Sequence, residues 1–150
     1  MELKLPPVVV LFIFALLMYL LDRFLPFGEF EFFGRYYLSA GLIILAVLIG
    51  FISLGQFFRT KTTVDPTKPN KASALVTSGI FAFSRNPMYL SMLLLLLAFG
   101  LRLGNAFNVL IAAGFVSYMN RFQIAPEEKA LTKLFGKEFL LYCKNVRRWF

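Results

Sequence analysis

Two long apolar runs in the first 58 residues restrict the possible folds of this chain more than any other feature. The first is Leu5 to Leu21, LPPVVVLFIFALLMYLL, and the second is Leu38 to Phe58. About 20 apolar residues form a helix roughly 30 Å long, which matches the hydrocarbon core of a bilayer. Both runs are therefore predicted to be transmembrane helices. The first is followed by bulky residues rather than by a small-residue cleavage site, so we expect it to be retained.

Two shorter apolar runs follow, Met88 to Leu101 and Ala106 to Phe122. Each is short for a full crossing, and together they predict a tight helical hairpin whose ends dip into the interface or which crosses a locally thin bilayer. The total is about four transmembrane helices, the last two forming the short hairpin. Because the chain folds back at Gly104, the helix start at Asn86 should lie beside the segment Arg121 to Ile124.

The composition supports lipid as the solvent and removes several kinds of chemistry. Hydrophobic residues make up 59% of the 150 residues and charged residues 16%. Cys143 is the only cysteine and the chain has no histidine. A Ser-His-Asp triad, a His-ligated zinc and a cysteine-based metal cluster are therefore excluded, and no metal site is predicted. We expect one all-α integral membrane domain, with two N-terminal spans in 1–58 and the remaining elements in 59–150.

The net charge of +8 has a membrane explanation. Four spans would place the N-terminus, the segment 59–87 and the C-terminal tail on one side of the bilayer. Only Arg23, Arg35 and Arg102 would then lie on the other side, balanced by Asp22, Glu29 and Glu31. The positive-inside rule assigns the basic side to the cytoplasm, so both termini should be cytoplasmic, in a cell inner membrane. Nucleic-acid binding is not needed to explain the basicity, and no nucleic-acid partner is predicted.

The longest polar segment runs from Arg59 to Arg85 and carries several Pro, Asp, Asn and Gly residues. It is predicted to be mostly irregular, with a short turn of helix near Lys71 to Leu75. Pro87 fits the first turn of a helix and Asn86 fits its N-cap. A helix is therefore expected to begin here, with its free N–H groups near the membrane surface.

The last segment, Ala125 to Phe150, is predicted to form a cytoplasmic amphipathic helix at the membrane surface. Pro126 should mark its start, with Glu127 and Glu128 in the first turn. Gly136 weakens the helix in its middle, so two shorter pieces are expected.

Unusual polar residues are expected to converge on this cytoplasmic face: Arg85, Asn86 and Tyr89 from one segment, and Glu127 and Glu128 from the other. A helix N-terminus beside a carboxylate pair at the mouth of a small bundle is a common location for a pocket. The alternative is purely structural: the arginine snorkels, the asparagine caps, and the glutamates balance the helix dipole.

The segment LVTSGIFAFSRNPMYLS (75–91), followed by APEEKALTKLFGKEFLLYCKNVRRW (125–149), resembles the C-terminal half of the isoprenylcysteine carboxyl methyltransferase and phospholipid methyltransferase superfamily. The similarity covers about half of the chain. It rests on elements in order: Leu-Val-x-x-Gly, Arg-(His or Asn)-Pro-x-Tyr, an apolar hairpin, Glu-Glu-x-x-Leu, Phe-Gly-x-x-(Tyr or Phe), and a basic-Trp ending.

The resemblance implies methyl transfer from S-adenosylmethionine, at the cytoplasmic membrane face, to a lipophilic acceptor such as a prenylcysteine carboxylate or a lipid. It implies cofactor contacts at Ser73, Ala74, Leu75, Val76, Phe81, Asn86, Pro87, Met88, Tyr89, Glu127 and Glu128. Substrate-side catalytic roles would fall on Gln123, at a position that is often arginine in the prenylcysteine enzymes, and on Arg121.

The chain departs from that superfamily at two positions. One is Gln123, and the other is Asn86, which stands where many members have histidine. These two departures support an alternative from another functional class, a non-catalytic membrane scaffold or assembly protein that retains the fold. A transporter or channel is the least favoured reading, because the spans carry no ionisable residue deep in the bilayer.

Overall fold

The computed structural model describes residues 5–25, 27–59 and 74–150, and these residues form a helical bundle. The helices are α1 (Pro7–Phe24), α2 (Arg35–Arg59), α3 (Pro87–Leu103), α4 (Asn108–Met119), α5 (Ala125–Phe135) and α6 (Lys137–Asn145). A 3₁₀ helix covers Gly79–Ala82, and a π-helical turn, Asn120–Ile124, joins α4 to α5. The all-α class predicted from the sequence is confirmed.

The two N-terminal helices have the length and composition of membrane spans. α1 has 18 residues, α2 has 25, and 17% of the apolar window of each is buried inside the protein. Their remaining apolar surface needs a nonpolar solvent, which a bilayer supplies. α3 is also apolar but has 17 residues. The structure thus supports two of the four predicted spans, and full crossing by α3 and α4 stays a prediction.

Small residues bring the helices of the bundle close together. α2 packs mainly against α3, where Ser39 Oγ donates to the carbonyl oxygen of Ala98 at 3.1 Å. A Cβ atom added at Gly50 of α2 would lie 3.4 Å from Ser91 Oγ of α3. α1 packs against α3 and α4, and Phe115 of α4 is fully buried in the apolar core between them.

The predicted hairpin of α3 and α4 is confirmed, and its turn is held by the connection between α1 and α2. Gly104 ends α3 with a φ of 80°, in the left-handed region that glycine adopts without strain. The N–H of Phe30 donates to the carbonyl oxygen of Gly104 at 2.8 Å, and the N–H of Ala106 donates to that of Gly28 at 2.9 Å. Both loops therefore close the end of the bundle opposite the start of α3.

The predicted helix start at Pro126 is confirmed, because α5 begins at Ala125 and has Pro126, Glu127 and Glu128 in its first turn. Ile124 has helical φ and ψ of −67° and −47°, and the chain continues from α4 through the π-helical turn into α5. The N–H of Ala125 bonds to Asn120, five residues back, so the wide turn carries the backbone as far as the proline. Gly136, with a φ of 53°, separates α5 from α6, which confirms the predicted division into two pieces.

The loop before α3 packs against α6. Of the turn predicted near Lys71 to Leu75, residues 71–73 lie outside the described residues, and the helical element found in the loop is Gly79–Ala82. Val76 and Phe81 are buried with Phe139 and Tyr142 of α6 in a second apolar cluster. This cluster fixes the loop beside the start of α3.

Candidate functional site

The candidate site lies where α3 begins, because three separate segments of the chain meet there. Pro87 is the first residue of α3 and Asn86 occupies the N-cap position, as predicted. The Asn86 side chain makes no cap, however. Its Nδ2 donates to the carbonyl oxygen of Arg148 at 3.0 Å, so it ties the C-terminus of the chain to the helix start.

A buried tyrosine and a carboxyl group form the inner part of the site. Tyr89, in the first turn of α3 and 6% exposed, donates a hydrogen bond from its hydroxyl to Glu127 Oε1. Burial raises the pKa of Glu127 to about 8, the negative charge of Glu128 adds to the rise, and the hydrogen bond from Tyr89 opposes it. At neutral pH this carboxyl group is largely protonated, and a ligand that carries positive charge would favour its ionised form.

The neighbouring carboxylate is held by two arginines. Glu128 accepts two bonds from Arg148, Nε to Oε1 at 3.0 Å and Nη2 to Oε2 at 2.6 Å, the bidentate geometry that guanidinium groups favour. Arg85 Nη1 lies 3.0 Å from Oε1 of the same carboxylate. The hydrogen bonds to Glu128 raise the pKa of Arg148, and its burial opposes that rise. Two positive charges thus surround one negative charge beside the neutralised Glu127.

The segment Val146–Trp149, which we call the C-terminal strap, lies across the start of α3. The N–H of Arg85 donates to the carbonyl oxygen of Arg147 at 2.9 Å, and Ser84 Oγ donates to that of Arg148 at 3.2 Å. Trp149 Nε1 donates to Asn120 Oδ1 at 3.1 Å. The basic-Trp ending of the sequence therefore anchors the strap between α3 and the π-helical turn.

The predicted contacts of the loop pack against α6, next to the start of α3. The carbonyl oxygen of Phe81 accepts a bond from the Tyr142 hydroxyl at 2.7 Å, and burial raises the pKa of Tyr142. Val76 is buried in the same cluster, Leu75 packs at its edge, and Ala74 is exposed. Ser73, the remaining predicted loop contact, lies outside the described residues.

The two residues predicted for the acceptor side lie in very different surroundings. Gln123 is 1% exposed, and its Nε2 donates to the carbonyl oxygen of Leu5 at 2.6 Å. Its Oε1 is buried and has no partner among the described residues. Arg121 is exposed, and its guanidinium group stacks on the ring of Phe122 at 5.4 Å. The structure therefore brings Gln123 into the interior and directs Arg121 to the surface.

The predicted proximity of the start of α3 to the segment before the glutamates is confirmed by the bonds of Tyr89 and Arg85 to the glutamate pair. Two residues that hold the site together were missed, Arg148 and Ser84. The basic-Trp ending was the available signal for Arg148, but nothing local in the sequence indicates that it reaches a glutamate 20 residues earlier.

A family model for phospholipid methyltransferases matches residues 34–138, from the start of α2 into α6. The match covers more than half of the chain. This protein belongs to the phospholipid methyltransferase family. Its membership, with the two apolar spans, makes it a membrane protein of a methyltransferase family, and confirms the resemblance found in the sequence.

Two relatives show how far the similarity extends. A protein-S-isoprenylcysteine O-methyltransferase of Schizosaccharomyces pombe is 31% identical over 107 residues, which cover 65% of this chain and 45% of the yeast protein. This chain therefore spans less than half of the length of that enzyme. An uncharacterized protein of Haemophilus influenzae is 50% identical over 62 residues, 41% of this chain and 98% of the relative. No solved structure matches the chain at a significant level.

Proposed function

We propose that this protein transfers a methyl group from S-adenosylmethionine to a lipophilic acceptor that reaches the site from the bilayer. The observation that carries the proposal is the hydrogen bond of the buried Tyr89 to Glu127, beside the arginine-bound Glu128 at the start of α3. Family membership and the yeast relative support methyl transfer as the reaction class.

The polar groups of the site fit the chemistry of the cofactor. S-adenosylmethionine carries an ammonium group, a carboxylate, ribose hydroxyls and a sulfonium. The Glu127 carboxylate would accept bonds from the ammonium group or the ribose. Arg85 Nε is buried with no partner among the described residues, so it has a free N–H for the carboxylate of the cofactor. The other predicted cofactor contacts stay part of the proposal: Ser73, Ala74, Leu75, Val76, Phe81, Asn86, Pro87 and Met88.

The bound cofactor supplies a methyl group already activated by the sulfonium charge. The protein then has to align the acceptor with that methyl group and exclude water, which accounts for a large share of the rate in such displacements. The aromatic ring of Tyr89 or that of Phe81 would present an electron-rich face to the sulfonium. No histidine is required, because a carboxylate acceptor needs no base and an amine needs only to lose one proton.

Gln123 is our candidate for orienting the acceptor. It precedes Glu127 by four residues, so the two side chains lie about one turn apart on the same side of the helix. Its unpartnered Oε1 can accept a bond from an O–H or N–H group. This property favours an acceptor that carries a hydrogen-bond donor, such as a lipid amine, over a fully ionised carboxylate. Arg121 lies on the exposed surface, where it would at most attract an acidic headgroup of the acceptor toward the site.

We also infer that the protein lies in the inner membrane of the cell and that its site faces the cytoplasm. The support is the concentration of basic residues in the segments around the site, which the positive-inside rule assigns to the cytoplasmic side.

Calorimetric titration of the detergent-purified protein with S-adenosylhomocysteine tests the cofactor site. We expect saturable binding that is weakened about tenfold to a hundredfold in Glu127→Gln, because a hydrogen bond to a charged group contributes about 1.5–3 kcal/mol. Asn86→Ala should also weaken binding, since it releases the strap from the start of α3.

Matched controls come from α6, where Glu138→Gln and Asn145→Ala change exposed residues of the same types. Both should bind like the wild type. Absence of binding to the folded wild-type protein would refute the proposal and favour the non-catalytic scaffold. In that case the hydrogen bonds from the strap to Asn86 and Glu128 would have a purely structural role.

A further inference from the structure

α6 has two faces of different character, and only one of them is used inside the protein. Phe139 and Tyr142 are buried against the loop before α3. On the opposite side, Lys137, Leu140, Leu141 and Lys144 recur at helical spacing and form one exposed stripe. Leu140 is 50% exposed and Leu141 is 59% exposed.

This stripe, Lys137–Leu140–Leu141–Lys144, combines an apolar centre with a positive charge at each end. Glu138 flanks it and is the acidic exception on the exposed surface of this region. The exposed charged side chains from Ala125 to Arg147 are otherwise all basic: Lys129, Lys133, Lys137, Lys144 and Arg147. An anionic surface with an apolar layer beneath it is complementary to such a face, and an anionic phospholipid membrane has both properties.

We propose that the α6 stripe binds anionic phospholipid at the membrane surface, with Leu140 and Leu141 entering the headgroup boundary and the two lysines pairing with lipid phosphates. This proposal is independent of the methyl-transfer reaction. Its consequence for the fold follows from the inner face of the same helix, where the Tyr142 hydroxyl holds Phe81 and Cys143 contacts Arg85. Lipid bound on the outer face would therefore brace the helix that supports the candidate site.

The stripe can be tested with a fluorescent reporter placed within it. Trp149 is the single tryptophan of the chain, so Leu141→Trp in a Trp149→Phe background gives one tryptophan, at the proposed contact. The protein is placed in bilayers that contain brominated phosphatidylglycerol or brominated phosphatidylcholine at equal fractions, and quenching by each lipid is compared. Each lysine near an anionic surface contributes about fivefold to lipid binding, so the two together should favour phosphatidylglycerol about thirtyfold.

Replacing both lysines, Lys137→Gln with Lys144→Gln, should reduce this preference to about equality while both lipids still quench. The matched control, Arg23→Gln with Arg102→Gln, changes two exposed basic residues that lie far from α6 and should keep the preference. Inorganic phosphate, added against chloride at equal ionic strength, should not compete, since a free anion lacks the apolar part.

Three results would overturn the proposal. Absence of quenching by either lipid would show that the stripe does not touch the bilayer. Equal quenching by both lipids in the protein with intact lysines would show that the stripe meets the membrane without recognising anionic headgroups. Competition by inorganic phosphate would likewise contradict binding of the lipid as a whole.

Discussion

Ligand binding at the candidate site should depend on pH through Glu127. Its pKa is raised to about 8 in the free protein, whereas the proposed complex uses its ionised form. A carboxyl group with that pKa is about 1% ionised at pH 6 and about 9% ionised at pH 7. If the carboxylate binds the cofactor, the apparent affinity for S-adenosylhomocysteine should therefore rise about ninefold over that interval, or about 1.3 kcal/mol.

The direction of this pH dependence follows from whether the free or the ligand-bound protein holds the proton on Glu127. Free protein carries the proton on Glu127 up to about pH 8, and the bound state releases it, so raising the pH lowers the cost of binding. The chain contains no histidine, which removes the usual titrating side chain between pH 6 and pH 7. The interval also lies below the usual pKa of α-amino groups, so the ligand keeps its positive charge.

Calorimetry at pH 6 and pH 7 measures both the affinity and the proton release. Heats measured in two buffers of different ionisation enthalpy should show about 0.9 proton released per ligand at pH 7. Glu127→Gln should bind more weakly and with no pH dependence, whereas Glu138→Gln should keep the wild-type slope. An affinity that is flat between pH 6 and pH 7, or a slope that survives in Glu127→Gln, would refute the assignment of Glu127 to the ligand.

Two further predictions concern the supports of the site. Arg148→Ala removes the bidentate pair with Glu128. Because the arginine side chain is 39% exposed, we expect the free energy of unfolding, measured by thermal unfolding, to fall by only about 1 kcal/mol. Arg148→Lys should recover only part of this loss, and full recovery would argue against the bidentate geometry. Gly79→Ala should destabilise the protein by about 1–3 kcal/mol, because Gly79 has a φ of 62° and an added Cβ would collide with the Gln56 side chain. The control Gly41→Ala should not destabilise it, since the space around Gly41 is open. Equal stability of the two variants would contradict the packing described for this loop.

The sequence predicted those parts of the fold that have local physical causes. The spans of α1 and α2 follow from uninterrupted apolar runs, and their predicted ends differ from the observed ones by no more than three residues. The start of α3 follows from Pro87, which has no N–H to lose in a first turn, and the break between α5 and α6 follows from Gly136. Each of these features is decided by a few neighbouring residues.

What the sequence could not predict depends on contacts between distant segments. Pro126 followed by two glutamates predicts the start of α5 correctly, but nothing in this pattern indicates that a π-helical turn joins α5 directly to α4. Asn86 was expected to cap its own helix, yet its side chain reaches Arg148, 62 residues away. Gln123 likewise bonds to Leu5, 118 residues away. Such partners leave no periodic or spacing signal in a single sequence.

Mapping the position of bound cofactor tests the central claim most directly. Purified protein would be irradiated with ultraviolet light in the presence of methyl-labelled S-adenosylmethionine, digested, and the labelled peptide identified by mass spectrometry. The site described here predicts label at Tyr89 or in the peptide that contains Glu127 and Glu128, with labelling suppressed by excess S-adenosylhomocysteine. Suppressible label confined to the opposite end of the bundle, around the turn at Gly104, would contradict it.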